Sequence, residues 1–359
     1  MGMILLNPGP ANTTMGVKLA QIVDDICPRE IEFGQIMQDV SSGLLKFVQG
    51  SSKARAVLFG GSGTLAIESC LSSVVGSEDK IVIIVNGAYG KRMFDIAKAH
   101  EKNVIAFESD FLSPIDFMQL KVFLESQKPQ FVGVVHSETT SGLLNDLKQL
   151  SFICKPLGIK IISDCMSSFA CYPLNLNEID YIVASSNKNL QGMAGVSFVV
   201  ANVDNLKKAS HSRSVYLDLK AQDEYFTRTQ QMRFTPPVQI LYALKKAIEE
   251  LCIETLEGRY LRYKKNNSIL RKGLLGLGLE IFPKESFGVI ITAIKMPKDI
   301  DFKTLHDTCK KQGYTIYPGK IEGLEMFRIA NIGEIYPYHI EGFLNILRQF
   351  LQNLVGENA

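Results

Sequence analysis

A lysine and an aspartate stand at the ends of two short apolar runs, about two dozen residues apart. Ile159–Ile162 leads to Asp164, and Tyr181–Val183 leads through Ser185-Ser186-Asn187 to Lys188. A desolvated lysine has a lowered pKa and attacks carbonyl carbons. The residues just beyond it, Gln191-Gly192-Met193-Ala194-Gly195, are mostly small and let a bulky ligand come close to the backbone. A carboxylate at a buried strand end can keep a ring nitrogen protonated through a charge-assisted hydrogen bond. Those two groups are what pyridoxal 5′-phosphate requires: an amine for a Schiff base and a carboxylate for its ring nitrogen. Taken singly, each has an ordinary reading. A lysine after a strand is usually a solvated charge, and Asp164 ahead of Met166-Ser167-Ser168 could be a helix N-cap. Their place on successive strand ends favours the cofactor.

The phosphate of such a cofactor needs a cradle. Gly61-Ser62-Gly63-Thr64 opens a helical stretch, so free backbone N–H groups and the helix dipole would face an anion, with the Ser62 and Thr64 hydroxyls beside them. A plain strand-to-helix turn is the alternative, and neither the Walker pattern nor GxGxxG is present. Tyr89, just past the next strand, could stack on the ring or serve as core. Ser141, with Thr140, could reach the ring oxygen or phosphate, or satisfy its own turn. Arg328 lies within Phe327-Arg328-Ile329-Ala330. A guanidinium there either reaches out to water or clamps a buried carboxylate bidentately.

The elements that must position these groups are legible as an alternation. Ala56–Phe59, Lys80–Val85, Asn103–Phe107, Phe131–Val135, Ile159–Ile162, Tyr181–Val183 and Val196–Val200 read as short strands, with helical stretches such as Thr64–Val75, Tyr89–His100 and Leu147–Leu157 between them. This is an α/β pattern with a mainly parallel sheet covered on both faces, and ligands bind beyond the carboxyl ends of such strands. Ser62, Asn86, Glu138, Asp164 and Lys188 all fall at those ends. After about Thr235 the pattern changes. One long helical stretch is predicted from Val238 through about Leu277, then a smaller α+β unit with strands at Gly288–Ile294, Thr315–Tyr317 and Met326–Ile329 and a final helix over Pro337–Leu354. The expected division is a large unit over 15–240 and a small unit over 241–359 joined by 1–14.

Composition excludes several classes. A net charge of +2 without Lys/Arg-rich runs argues against a phosphate-backbone binder. No stretch approaches the ~18 apolar residues of a membrane span, and Met1–Pro10 does not read as a signal peptide. Seven scattered cysteines read as reduced thiols of a cytoplasmic protein, and five histidines form no zinc pattern.

The chain resembles the class V aminotransferases, and within them the branch acting on 2-aminoethylphosphonate and pyruvate, along nearly its whole length. The resemblance rests on Leu5–Thr14 (LLNPGPANTT), Gly60–Ser69 (GGSGTLAIES), Asn86–Met93 (NGAYGKRM), His136–Gly142 (HSETTSG), Ser163–Phe169 (SDCMSSF) and Ser185–Gly192 (SSNKNLQG). It continues through His211–Leu219 (HSRSVYLDL), Arg233–Pro237 (RFTPP), Tyr317–Lys320 (YPGK) and Phe327–Glu334 (FRIANIGE). It implies aminotransferase fold type I and reversible ping-pong transfer giving phosphonoacetaldehyde and L-alanine, with Lys188 as Schiff-base lysine and proton shuttle. It further implies Asp164 at the ring nitrogen, Ser62, Gly63 and Thr64 at the phosphate, and Arg328 at the substrate carboxylate. It implies a homodimer with sites at the interface, where Thr235 reaches the neighbouring subunit's cofactor. The dianionic phosphonate calls for cationic donors; Arg213 and Arg328 are the candidates, with Arg29 third, because Asp25–Glu30 departs from the branch's pattern. Alanine–glyoxylate or serine–pyruvate transamination is the rival within the class.

Overall fold

Runs of β-branched and aliphatic residues make seven strands of one sheet: β1 (Ala54–Gly60), β2 (Lys80–Val85), β3 (Asn103–Glu108), β4 (Phe131–Val135), β5 (Lys160–Asp164), β6 (Tyr181–Ser185) and β7 (Val196–Asn202). The structure is a computed structural model describing residues 2–298, 300–321 and 323–357. The strand order is β1-β7-β6-β5-β4-β2-β3. Only β7 runs against its neighbours; all other pairs are parallel. The period-2 geometry of a strand sorts each side chain to one of two cores. From β2, Val82 and Ile84 join Phe33, Met37 and Leu44 of the helix Ile31–Leu45 on one face. Ile81, Ile83 and Val85 join Ala66, Ile67 and Leu71 of the helix Gly63–Val74 on the other. Burial on both faces explains why these strands read as unbroken apolar runs.

The single helical stretch expected from Val238 to Leu277 is two helices, Val238–Glu254 and Leu256–Gly276. Thr255 breaks them: its φ of 69° is left-handed, and its hydroxyl caps the second helix by accepting the Gly258 N–H at 3.0 Å. The break also parts the cores. Leu241, Leu244, Ile248 and Leu251 of the first helix pack under the large sheet, whereas Leu270 and Leu274 of the second pack under a smaller one. That smaller sheet comprises β8 (Ile281–Phe282), β9 (Ile291–Lys295), β10 (Tyr317–Pro318) and β11 (Met326–Ala330), antiparallel in the order β8-β9-β11-β10. Leu6 is buried in the same core, and Ile4–Leu5 pairs with Tyr314–Thr315. The N-terminal segment then touches both units: the Ala11 N–H donates to the Asn187 carbonyl at 2.9 Å, and Asn12 bridges to Gly333. Among the described residues no helix is long and apolar enough to cross a membrane, and no cluster could hold a metal ion.

Candidate active site

The site forms where β4, β5 and β6 end side by side. Asp164, the last residue of β5, is in register with Val135 on one side and Val183 on the other. Its backbone is pinned in both directions: the His136 N–H donates to the Asp164 carbonyl at 2.9 Å, and the Cys165 N–H donates to that of Val183 at 2.8 Å. Lys188 follows β6 in a loop held by neighbours. The Asn189 amide donates to the Ser167 and Phe169 carbonyls at 3.0 and 3.1 Å, and the buried Arg259 donates to the Asn189 carbonyl. Arg259 is itself paired with Glu254 at 2.7 Å. The lysine's mounting is thus shared between the large sheet and the small unit.

One cavity takes in Lys188, Asp164, Gly63, Thr64, Tyr89, Arg92 and Thr139, with a void of about 750 Å³ including its mouth. Burial lowers the pKa of Lys188, against the pull of Tyr89 and Asp164, and Arg328 and Lys320 lower it further. Its Nζ donates to the Pro8 carbonyl. A Cβ on Gly9, whose φ is +140°, would lie 2.5 Å from that Nζ, so a side chain at residue 9 would push the end of the lysine from this position. Asp164 is buried, which pushes its carboxyl up to about 6, with Glu138 adding to the rise. Its Oδ1 accepts the Met166 N–H at 2.9 Å, and no protein donor reaches Oδ2 among the described residues. A buried carboxylate oxygen without a donor, facing a cavity, fits a protonated ring nitrogen.

The helix Gly63–Val74 opens at the same cavity, and Ser62 makes no side-chain cap, so its first N–H groups remain available to a phosphate. Ser62 itself is exposed beside the cavity rather than lining it. With a nucleophilic amine, a lone carboxylate oxygen and a helix N-terminus around one void, the residues present fit pyridoxal phosphate.

Arg328, 1% exposed on β11, donates from Nε to the Pro318 carbonyl at 2.9 Å and from Nη1 to the Thr139 carbonyl at 2.7 Å. It meets the Tyr89 phenol, which burial pushes up but Lys188, Lys320 and Arg328 hold below its ordinary value. The small unit thus delivers a guanidinium to the Lys188 site. Glu138 stands behind both. It is fully buried; its Oε2 accepts the Tyr89 and Gly90 N–H groups at 3.2 Å each, and its Oε1 the Thr140 N–H at 2.9 Å and hydroxyl at 2.6 Å.

Other expected residues lie elsewhere. Arg213 is not in the cavity: its side chain is 90% exposed and meets Glu101 at 3.4 Å in a separate cleft with Lys102 and His211. Arg29 does not line it either; its guanidinium donates to the Met232 and Arg233 carbonyls at 2.7 and 3.2 Å. Ser141 is wholly buried, and its hydroxyl accepts the Leu143 N–H at 3.4 Å within its own turn. Thr235 is exposed on the surface. Sequence reasoning placed Glu138 at the sheet edge without a role, and it passed over Gly9, Thr139, Arg92 and Lys320. The motifs containing them were visible; that they converge was not.

The family described as Aminotransferase class-V matches residues 20–271. The chain belongs to the class-V aminotransferases. This class-V chain is 35% identical to 2-aminoethylphosphonate–pyruvate transaminase of Lysinibacillus sphaericus over 99% of both chains. It is also 35% identical to the enzyme of that name from Phocaeicola vulgatus, over 93% of this chain and 95% of the other. Among solved structures it superposes on alanine–glyoxylate aminotransferase from Nostoc sp. with a TM-score of 0.91 at 23% identity, covering 98% of this chain and 96% of that one. Pyridoxamine-pyruvate aminotransferase from Mesorhizobium loti gives 0.91 at 22%, covering 99% and 93%. The fold of this class-V aminotransferase is therefore that of the fold type I enzymes, as expected.

Proposed function

We propose that this aminotransferase moves the amino group of 2-aminoethylphosphonate to pyruvate, giving phosphonoacetaldehyde and L-alanine, reversibly and by a ping-pong course. The observation that carries the chemistry is the convergence of Lys188, Asp164 and the N-terminus of the helix Gly63–Val74 on one cavity. The substrate reading is supported by relatives of that name at 35% identity over nearly the full length. The likeness to an alanine–glyoxylate enzyme, at 23% identity, is one of fold.

Pyridoxal phosphate supplies, when bound, an electron sink for the carbon that bears the transferred amine. Lys188 would hold it through Nζ, Asp164 would hold the proton on its ring nitrogen, and the Gly63 and Thr64 N–H groups would hold its phosphate. Lys188, its pKa lowered by burial, then serves as the base and acid that carries one proton at Nζ. Arg328 offers its uncommitted donors to the carboxylate of pyruvate or alanine. Thr235, exposed on each subunit, would complete the neighbour's phosphate cradle in a cytoplasmic homodimer.

The test is a spectrum of the purified protein with pyridoxal phosphate. Adding 2-aminoethylphosphonate without any keto acid should shift the cofactor band to that of its amine form, and pyruvate should restore it. Lys188→Ala should abolish the shift, and borohydride should fix a pyridoxyl mass on wild type alone. If alanine or serine shifts the band and aminoethylphosphonate does not, the substrate reading is wrong. If wild type gains no pyridoxyl mass, the site reading is wrong as well.

A further inference from the structure

Two of the chain's segments, Asn86–Met93 and Tyr317–Lys320, carry Arg92 and Lys320, two cations that the scheme above leaves unused. Arg92 belongs to the helix Ala88–Ala99 of the large unit, and Lys320 follows β10 of the small unit. Both come to the same aromatic ring. The Arg92 guanidinium lies 4.9 Å from the centre of the Tyr89 ring and the Lys320 ammonium 5.1 Å from it. The Tyr89 phenol in turn meets Arg328 and faces Lys188. Among the described residues neither Arg92 nor Lys320 takes part in an ion pair, and neither side chain donates a hydrogen bond. Every other cation close to Tyr89 already has a task. Arg328 has committed Nε and one Nη1 proton to main-chain carbonyls, which leaves it one edge for an anion.

The two substrates differ in charge and shape. Alanine and pyruvate present a planar carboxylate with one charge, which one guanidinium edge satisfies. A phosphonate presents three oxygens on a tetrahedral phosphorus and up to two charges, which one edge does not. We infer that Arg92 and Lys320, one from each unit and flanking Tyr89, are the specificity-determining cations that bind the phosphonate in addition to Arg328. This rests on the reading of 2-aminoethylphosphonate as amino donor. It replaces Arg213 and Arg29, which line no part of the cavity, with Arg92, which lines it, and Lys320, which lies against its Tyr89 ring. Both side chains are exposed, so neutral replacements leave the cores untouched, and their contribution is screened by salt.

The experiment compares the two half-reactions of the holoenzyme in wild type, Lys320→Gln, Arg92→Gln and the double variant. Charge-assisted hydrogen bonds of this kind are worth about tenfold or more in affinity. Each single variant should weaken saturation by 2-aminoethylphosphonate by that factor, change saturation by alanine less than about threefold, and leave the limiting rates near wild type. Lys320→Arg should restore most of the loss. Calorimetric titration with methylphosphonate and acetate gives a readout without turnover. Wild type should prefer methylphosphonate, and the double variant should lose that preference. Equal weakening of both amino donors, or an unchanged methylphosphonate preference, overturns the assignment. Failure of wild type to react with 2-aminoethylphosphonate overturns the substrate reading instead, and methylphosphonate titration still decides whether the two cations bind a phosphonate.

Discussion

Asp164 carries a charge where a charge is costly. Its carboxyl is buried with one backbone donor, so burial raises its pKa from 3.8 to about 6. The sign of the consequence follows from proton linkage. A folded-state pKa above the unfolded one means that the folded protein binds the proton more tightly. Stability therefore falls as pH rises from about 4 to about 6, by roughly 3 kcal/mol at most, and stays lower above that window. A protonated ring nitrogen against Oδ2 reverses the cost by supplying the missing cation. We expect cofactor-free Asp164→Asn to melt above wild type at pH 8, with the difference vanishing near pH 4. Wild-type affinity for pyridoxal phosphate, measured by fluorescence titration, should weaken as pH drops through about 6. A melting difference independent of pH would mean that Asp164 is not the buried charge described.

At the scale of the element, the helix Ala88–Ala99 begins without a side-chain cap of its own; its N-cap is Gly87. Glu138 supplies the cap from another strand end, taking the Tyr89 and Gly90 N–H groups on one oxygen and Thr140 on the other. A carboxylate suits four donors, whereas a carboxamide would turn its own NH₂ toward one pair of them. Glu138→Gln should cost about 1–3 kcal/mol in denaturant unfolding. It should also loosen Tyr89 and the Thr139 carbonyl on which Arg328 rests, so the KM for pyruvate should rise more than kcat falls. Gly9→Ala tests a different element. The added methyl would meet the Lys188 side chain at a φ that alanine rarely adopts. We expect the yield of borohydride-fixed pyridoxyl to fall at least ~10-fold while far-ultraviolet circular dichroism stays as in wild type.

Across the whole molecule, the cores suggest a boundary different from the one at residues 240 and 241. The helix Val238–Glu254 packs beneath the large sheet, so we propose that the large unit extends to Glu254 and hinges at Thr255. Lys188 and Arg328 then belong to different units, and the site depends on how the two are held. The face around the cradle bears on assembly. Val215 is 68% exposed, Tyr216 stacks on Phe234 with ring centres 5.1 Å apart, and the Tyr216 hydroxyl donates to the Gly60 carbonyl at 2.9 Å. Exposed apolar groups beside a half-built phosphate site fit a subunit contact across which Thr235 is shared. Sedimentation should give a dimer. Lys188→Ala and Thr235→Asp, each inactive, should on co-expression recover about a quarter of wild-type activity, because half of the dimers then carry one complete site. No recovery would place Thr235 outside the neighbour's site.

The sequence by itself determined what is local. Unbroken apolar runs alternating with helical patterns marked the strands of the large sheet, and the polar residues that follow those runs placed Asp164, Lys188 and the glycine turn at one edge. Arg328 stood out because a guanidinium in an apolar strand needs an anion or an exit. The tertiary structure decided whatever depends on distance between segments far apart in the chain. It broke the long helix at Thr255, since a single left-handed residue is invisible in a pattern of Leu, Lys and Glu. It sent Arg213 to the surface and tied Arg29 to the main chain of residues 232 and 233, although their charge had made both candidates. It brought Gly9 against Lys188, Glu138 behind Tyr89, and Arg92 and Lys320 to the same Tyr89 ring. Spacing along the chain carries no information about such contacts; only the packing of two units against one cavity fixes them.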